Sequence, residues 1–245
     1  MGITTKRIIT KARSSSCSMP GVWRAVAHSK GGVVVYHSPK ACSHISRNMD
    51  EGDHFRKIAR QEYLPDAYNT PLVCSLLEEK HSIFGGADQL HACLEYVIKN
   101  YQPKFVMIAN SCVVGVIGDD VVSVAKDVEA EFGIPILTVP CYGFLDGEYY
   151  AGYYYATEAI INRLVPNGKP RSKSVLLIGD QGGPSGEYCT EVCRLLKYFD
   201  IEVLGQFPTY LDYEDYANSL INQKLFLFNQ SIIYLIKSFF QVRHD

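Results

Sequence analysis

Short apolar runs alternate with segments of helical period along most of this chain, and that alternation limits the folds open to it. Gly32-Val33-Val34-Val35-Tyr36, Leu72 to Leu77, Phe105 to Ala109 and Ile134 to Val139 have the length and apolar content of buried strands. Between them, Leu90, Leu94, Val97 and Tyr101 recur at helical spacing, as do Val121, Val124, Val128 and Phe132. Asp119 and Asp120 suit the positive N-terminal end of the second helix, and Gly133 suits its stop. Pro20 to Ser29 reads as a shorter helix, with Ser18 as its cap and Gly31-Gly32 at its end. A strand–helix–strand rhythm of this kind implies right-handed crossovers and a parallel sheet. The predicted fold class is therefore α/β, a Rossmann-like domain.

Gly115 to Gly118 reads as a glycine-bearing turn. A tyrosine-rich stretch, Tyr149-Tyr150 and Tyr153-Tyr154-Tyr155, precedes a helix expected over Ala156 to Leu164. Pro166-Asn167-Gly168-Lys169-Pro170 is the clearest linker signal. Beyond it a second α/β unit begins: a strand from Ser174 to Ile178, a glycine-rich loop to Gly186, a helix from Glu187 to Phe199 and a strand from Ile201 to Leu204. These signals divide the chain into a first domain over 14–165, a partial second domain over 171–224 and an atypical tail over 225–245. The tail is rich in Phe, Leu and Ile but interrupted by Asn229, Gln230, Ser231 and Lys237, too broken for a membrane span. A core helix or strand is open to it, with no evident partner element.

Three of the eight cysteines stand just before or after predicted strands. Cys17 precedes the first helix, Cys42 closes His37-Ser38-Pro39-Lys40-Ala41-Cys42, and Cys112 follows the strand ending at Ala109. Parallel strands bring such loops to one edge, where α/β proteins carry chemistry. Soft thiolates converging there suit iron and sulfur. A buried cysteine also serves as a small apolar filler, and no Cys-x-x-Cys pair decides between the two. Cys74, Cys93, Cys189 and Cys193 read as packing residues, and Cys141 as an intermediate case in a strand-end loop. His37 and His44 flank Cys42, either as hydrogen-bond donors to a centre or as packed or solvated imidazoles.

A net charge of −2 and the lack of a basic run argue against nucleic acid as partner. The first residues lack the apolar core of a secretory signal, so the expected compartment is the cytoplasm, with no membrane association. Gly179-Asp180-Gln181-Gly182-Gly183-Pro184-Ser185-Gly186 follows a strand and opens a helix, but it matches neither the dinucleotide fingerprint nor a P-loop.

The same stretches resemble nitrogenase component 1. Cys17-Ser18-Met19-Pro20-Gly21 and His37 to Cys42 look like the first two cluster-cysteine motifs of that family. Glu79-Lys80 through Phe84-Gly85-Gly86 is similar to its conserved turn. Ser111-Cys112-Val113-Val114-Gly115-Val116-Ile117-Gly118-Asp119-Asp120 is similar to the third cysteine motif of its α-type chains. Pro140-Cys141-Tyr142-Gly143-Phe144 and Ile178-Gly179-Asp180 continue the likeness in order, over about half of a normal family subunit. The resemblance implies that Cys17, Cys42 and Cys112 ligate an iron–sulfur cluster, 4Fe–4S or the larger P-cluster type, shared with a partner subunit. It implies cluster surroundings at His37, Gly115 and Gly118, and a possible cofactor pocket at Tyr153, Tyr154, Gly182 and Gly183. Its implied partners are a homologous subunit, in a dimer or heterotetramer, and an ATP-dependent iron protein reductase.

Departures narrow the expectation. Catalytic α chains carry a histidine pair where this chain has Tyr153 and Tyr154. The cofactor-ligating residues of true nitrogenases lie beyond the point where the resemblance fades. The expected function is thus an oxidoreductase subunit holding part of a cluster for electron transfer, without dinitrogen reduction. The alternatives are a non-catalytic scaffold for cofactor assembly and a truncated, cluster-free binding domain.

Overall fold

A computed structural model describes residues 17–27, 29–48, 70–145, 148–164, 174–178, 187–207 and 224–227. The elements of the first unit follow in chain order: helix α1 (Ser18–Val26), strand β1 (Gly32–His37), helix α2 (residues 40–48) and strand β2 (Leu72–Cys74). Next come α3 (His81–Phe84), α4 (Ala87–Tyr101), β3 (Phe105–Asn110), α5 (Cys112–Ile117), α6 (Val121–Phe132), β4 (Ile136–Tyr142) and α7 (Tyr149–Leu164). The four strands form one sheet in the order β2-β1-β3-β4, every pair parallel. β1 and β3 are buried at every residue, as their continuous apolar runs require of strands covered on both faces.

Alternate side chains of the central strands feed two cores. Val34, Tyr36, Phe105, Met107 and Ala109 pack against α1 and α7, whose Met19, Trp23, Ala156 and Ile160 are buried there. Val33, Val35, Val106 and Ile108 pack on the other face against Leu90, Leu94 and Val97 of α4 and Val121, Ala125 and Val128 of α6. This is the α/β layer expected from the alternation, with the period of two in the strands sorting one core from the other.

Several boundaries differ from the sequence expectation for physical reasons. α1 starts at Ser18, with Pro20 in its first turn, where a missing N–H costs nothing. β2 ends at Cys74. Gly115 to Gly118 reads as a turn, yet residues 112–117 form α5, which Gly118 ends at φ 75°. β4 runs through Pro140 to Cys141 and Tyr142, because as an edge strand it tolerates a residue with no donor. Cys141 therefore lies in a strand and is buried, not in a loop. The tyrosine-rich stretch is helical, the first two turns of α7.

The second unit contains β5 (Ser174–Ile178), α8 (Glu187–Lys197), β6 (Glu202–Phe207) and β7 (Lys224–Leu227). They give a parallel sheet in the order β6-β5-β7. The partner-less tail thus begins with residues that pair: Leu225, Phe226 and Leu227 stand opposite Leu176, Leu177 and Ile178. The linker over 166–170 and the glycine-rich loop lie outside the described residues.

Candidate functional site

The strand order 2-1-3-4 reverses direction between β1 and β3, and the C-terminal ends of those strands flank the crevice where open α/β sheets bind ligands. Backbone bonds lock the ends together. Ser111 N–H donates to His37 O at 3.1 Å, and Ser18 N–H donates to Gly143 O at 3.3 Å across to the end of β4. Gly143 has φ 55°, and a Cβ there would lie 2.7 Å from the Cys112 nitrogen, so the chain passes close to Cys112 only as glycine.

All three predicted ligands stand at this edge, each half-buried. Cys17 is the N-cap of α1, Cys42 sits on α2 after β1, and Cys112 is the first residue of α5. They are electrostatic neighbours. Burial, opposed by the Met19 backbone hydrogen bond, pushes the Cys17 thiol up to about 11, and repulsion from Cys42, Cys112 and Cys141 adds to the rise. Cys42 is raised as well, chiefly by burial, against a hydrogen bond from the Ser38 side chain, with Cys112 and Cys74 repelling its thiolate. Among the described residues no group of three His, Cys, Asp or Glu side chains is arranged to hold one metal ion. Cys17, Cys42 and Cys112 are thus three separated thiols along one edge.

Behind this edge, on the α4–α6 side of the sheet, lies a polar chain that the sequence did not announce. His37 is fully buried. Its Nε2 is 3.0 Å from Asp119 Oδ2, and its Nδ1 is 2.9 Å from Ser75 Oγ. Ser38 N–H donates to Ser75 Oγ at 3.2 Å, and Gly86 N–H donates to both Asp119 oxygens at 2.9 and 3.0 Å. Burial lowers the His37 pKa below 6.5, outweighing the Asp119 hydrogen bond and charge that raise it. Both ring nitrogens are engaged, so His37 reaches Cys42 through Ser75 and Ser38.

Gly115 lies inside α5, where a Cβ would meet Leu145 and Tyr142 at 2.7 and 3.0 Å; Gly118 has open space around it. Tyr153 is buried against the α1 core, edge-on to Tyr154 at 5.7 Å. Gly182 and Gly183 lie outside the described residues. Cys74 bonds the Ser38 carbonyl at 3.2 Å, Cys93 is raised to about 12 by burial, and both pack against core residues. His44 is exposed on α2, beside Asn48 at 3.4 Å. Cys193 packs beside Leu196 of α8. Asp119 and Ser75 are the residues sequence reasoning missed. Asp119 reads as a helix-start residue, yet Asp120 makes that cap, accepting from Ser123 N–H at 3.0 Å.

Comparison with known proteins shows the family of the chain. A family model described as nitrogenase component 1 type oxidoreductase matches residues 17–234. The nitrogenase molybdenum-iron protein alpha chain of Acidithiobacillus ferridurans is 28% identical over 210 residues, 80% of this chain and 42% of that protein. The nitrogenase iron-molybdenum cofactor biosynthesis protein NifE of Clostridium pasteurianum is 32% identical over 145 residues, 58% of this chain and 31% of that protein. The solved structure of nitrogenase Cp1 at pH 6.5 superposes with a TM-score of 0.63 at 20% identity, covering 87% of this chain and 41% of that one. The chain spans less than half the length of these relatives.

Proposed function

This chain belongs to the nitrogenase component 1 type oxidoreductase family, and from that premise we propose that it holds part of an iron–sulfur cluster at the β1/β3 edge for electron transfer. The observation that carries this reading is the gathering of Cys17, Cys42 and Cys112, from three distant stretches of sequence, at one half-buried edge where their thiolates repel each other. Burial and neighbouring thiolates raise Cys17 and Cys42, so a bound cation would favour their ionised form, and the N-terminal end of α1 favours the Cys17 thiolate once formed. Bound there, a cluster supplies one-electron storage at a potential set by hydrogen bonds, charge and solvent access.

The open side of the edge fits a partner. Ile83, Phe84, Val116 and Phe144 are 78, 85, 75 and 62% exposed around it. Apolar side chains gathered in this way mark an interaction surface. The family reading assigns that surface to a homologous subunit and to an ATP-dependent iron protein, in the cytoplasm. Among the described residues no helix is long and apolar enough to cross a membrane.

One observation favours a second reading, a scaffold for cofactor assembly. Tyr153 is 4% exposed, a packed ring where catalytic α chains carry a histidine, and the relatives include a cofactor biosynthesis protein. Both readings need the cluster, and neither includes dinitrogen reduction.

The test is anaerobic purification with the partner subunit, followed by iron and acid-labile sulfide analysis and EPR. Iron and sulfide that vanish in the Cys17→Ala, Cys42→Ala, Cys112→Ala triple variant support the ligand set. A wild-type chain without iron overturns both readings, and iron retained by the triple variant overturns the assignment. ATP-dependent reduction by an iron protein then separates electron transfer from transfer of a bound cofactor precursor.

A further inference from the structure

Hydrogen-bond directions along the buried chain behind the thiolate edge follow from which groups can donate. Gly86 N–H donates to both Asp119 oxygens, and a carboxylate only accepts. His37 Nε2, 3.0 Å away, must then carry the proton and donate it. In the neutral ring Nδ1 is an acceptor, and Ser75 Oγ at 2.9 Å donates to it. Ser75 Oγ in turn accepts from Ser38 N–H. Every group has a partner of the right kind in this single arrangement. The opposite tautomer sets a ring lone pair against a carboxylate. The imidazolium makes Ser75 Oγ accept twice, and His81 and burial both oppose it.

We propose that Asp119, Ser75 and His37, the last as the neutral Nε2–H tautomer, are positioning residues that fix Ser38 and through it the turn that carries Cys42. The relay ends at Ser38, whose hydroxyl donates to Pro39 O at 3.1 Å, the carbonyl that also accepts from Cys42 N–H at 3.2 Å. It begins at Gly86, where a Cβ would lie 2.7 Å from Asp119 Oδ2 and 3.0 Å from His37 Cε1, so only glycine brings its N–H this close. The relay spans the ends of three strands: His37 closes β1, Ser75 follows β2, and Asp119 follows α5 beyond β3. Ser75 is 1% exposed, so it orders the backbone and meets no substrate. The importance of Cys42 as a ligand rests on the proposed cluster; the relay itself is testable without iron.

The test uses the full chain, reduced and iron-free. Long-range nitrogen–proton NMR, assigned by comparison with His37→Gln, is expected to show Nε2–H and a bare Nδ1 at neutral pH. Alkylation of Cys42 by iodoacetamide, read by mass spectrometry against Cys93, is expected to rise at least about threefold in Asp119→Ala and Ser75→Ala, because partners behind a ligand set its orientation. Asp119→Asn, whose amide oxygen still accepts from Nε2–H while its NH2 faces Gly86 N–H, is expected to keep the tautomer and to give a Cys42 rate between those of the wild type and Asp119→Ala. An Nδ1–H or doubly protonated ring overturns the relay. So does an unchanged Cys42 rate in folded Ser75→Ala, which serves even where Asp119→Ala fails to fold. Because no iron enters, failure of the relay leaves the iron analysis untouched, and failure of the cluster leaves the relay standing.

Discussion

His37 Nε2 lies 3.0 Å from Asp119 Oδ2, joining residues 82 positions apart in sequence and behind the edge that carries Cys17, Cys42 and Cys112. The pair is almost dry, with side-chain exposures of 0 and 5%. A lone imidazole at that depth resists protonation, and the carboxylate offsets part of that resistance without reversing it.

Stability is therefore expected to depend on the protonation of His37. Its pKa in the folded chain is lowered from 6.5, so its contribution is complete above about pH 6.5, where both states hold it neutral. As pH falls below that value the unfolded chain takes up a proton that the folded chain refuses, and stability declines toward the folded pKa. Urea unfolding between pH 7 and pH 5 is expected to show a steeper loss for the wild type than for His37→Gln. Equal slopes would sink the assignment.

Periodicity made the sheet and its two covering layers legible, because Val33 to Tyr36 and Phe105 to Ala109 belong inside a sheet and nowhere else. Features set by distant partners were not legible. Ser18 reads as the cap of α1, yet it is the first helical residue, and Cys17 caps the helix without a side-chain bond. The first turns of α7 hide their helical character behind five tyrosines, and their fit depends on Gly152, where a Cβ would lie 2.0 Å from Ser18 O. α5 contains Gly115, which reads locally as a turn. The three cysteines of the edge were legible as a pattern, whereas Asp119 and Ser75 gain their meaning only once His37 is brought between them.

Gly143→Ala and Gly118→Ala separate strain from collision. Both positions have positive φ, 55° and 75°, so each alanine is expected to cost about 1 kcal/mol of conformational strain. Around Gly118 there is open space, and the cost ends there. At Gly143 the new Cβ meets the Cys112 backbone at 2.7 Å, raising the expected loss to about 2–4 kcal/mol. Paired denaturant titrations check the ranking, and equal costs would remove the close approach from the account of this edge.

Tyr153→His puts the side chain of catalytic α chains into a site built for a larger ring. Tyr153 fills the α1–α7 core and meets Tyr154 edge-on at 5.7 Å and 74°. Losing volume and the aromatic pair is expected to cost about 1–3 kcal/mol. A variant as stable as the wild type by urea unfolding would show that the packing accepts imidazole and that Tyr153 is no barrier to the histidine.

Cys17 offers the sharpest chemical check on the edge. Its thiol is pushed up to about 11 by burial, with Cys42, Cys112 and Cys141 repelling its charge. An ordinary cysteine of pKa about 8.5 is roughly one-quarter thiolate at pH 8, whereas one near 11 is about a thousandth ionised, a difference of some two orders of magnitude. Alkylation of iron-free Cys17 at pH 8 is therefore expected to run about 100-fold slower than that of an unstructured peptide thiol. The rate should climb close to tenfold per pH unit toward pH 10. Iron binding must displace the same proton, so iron loading should also rise with pH over that range. A Cys17 that alkylates at the peptide rate at pH 8 would remove burial and mutual repulsion from the physics of this edge.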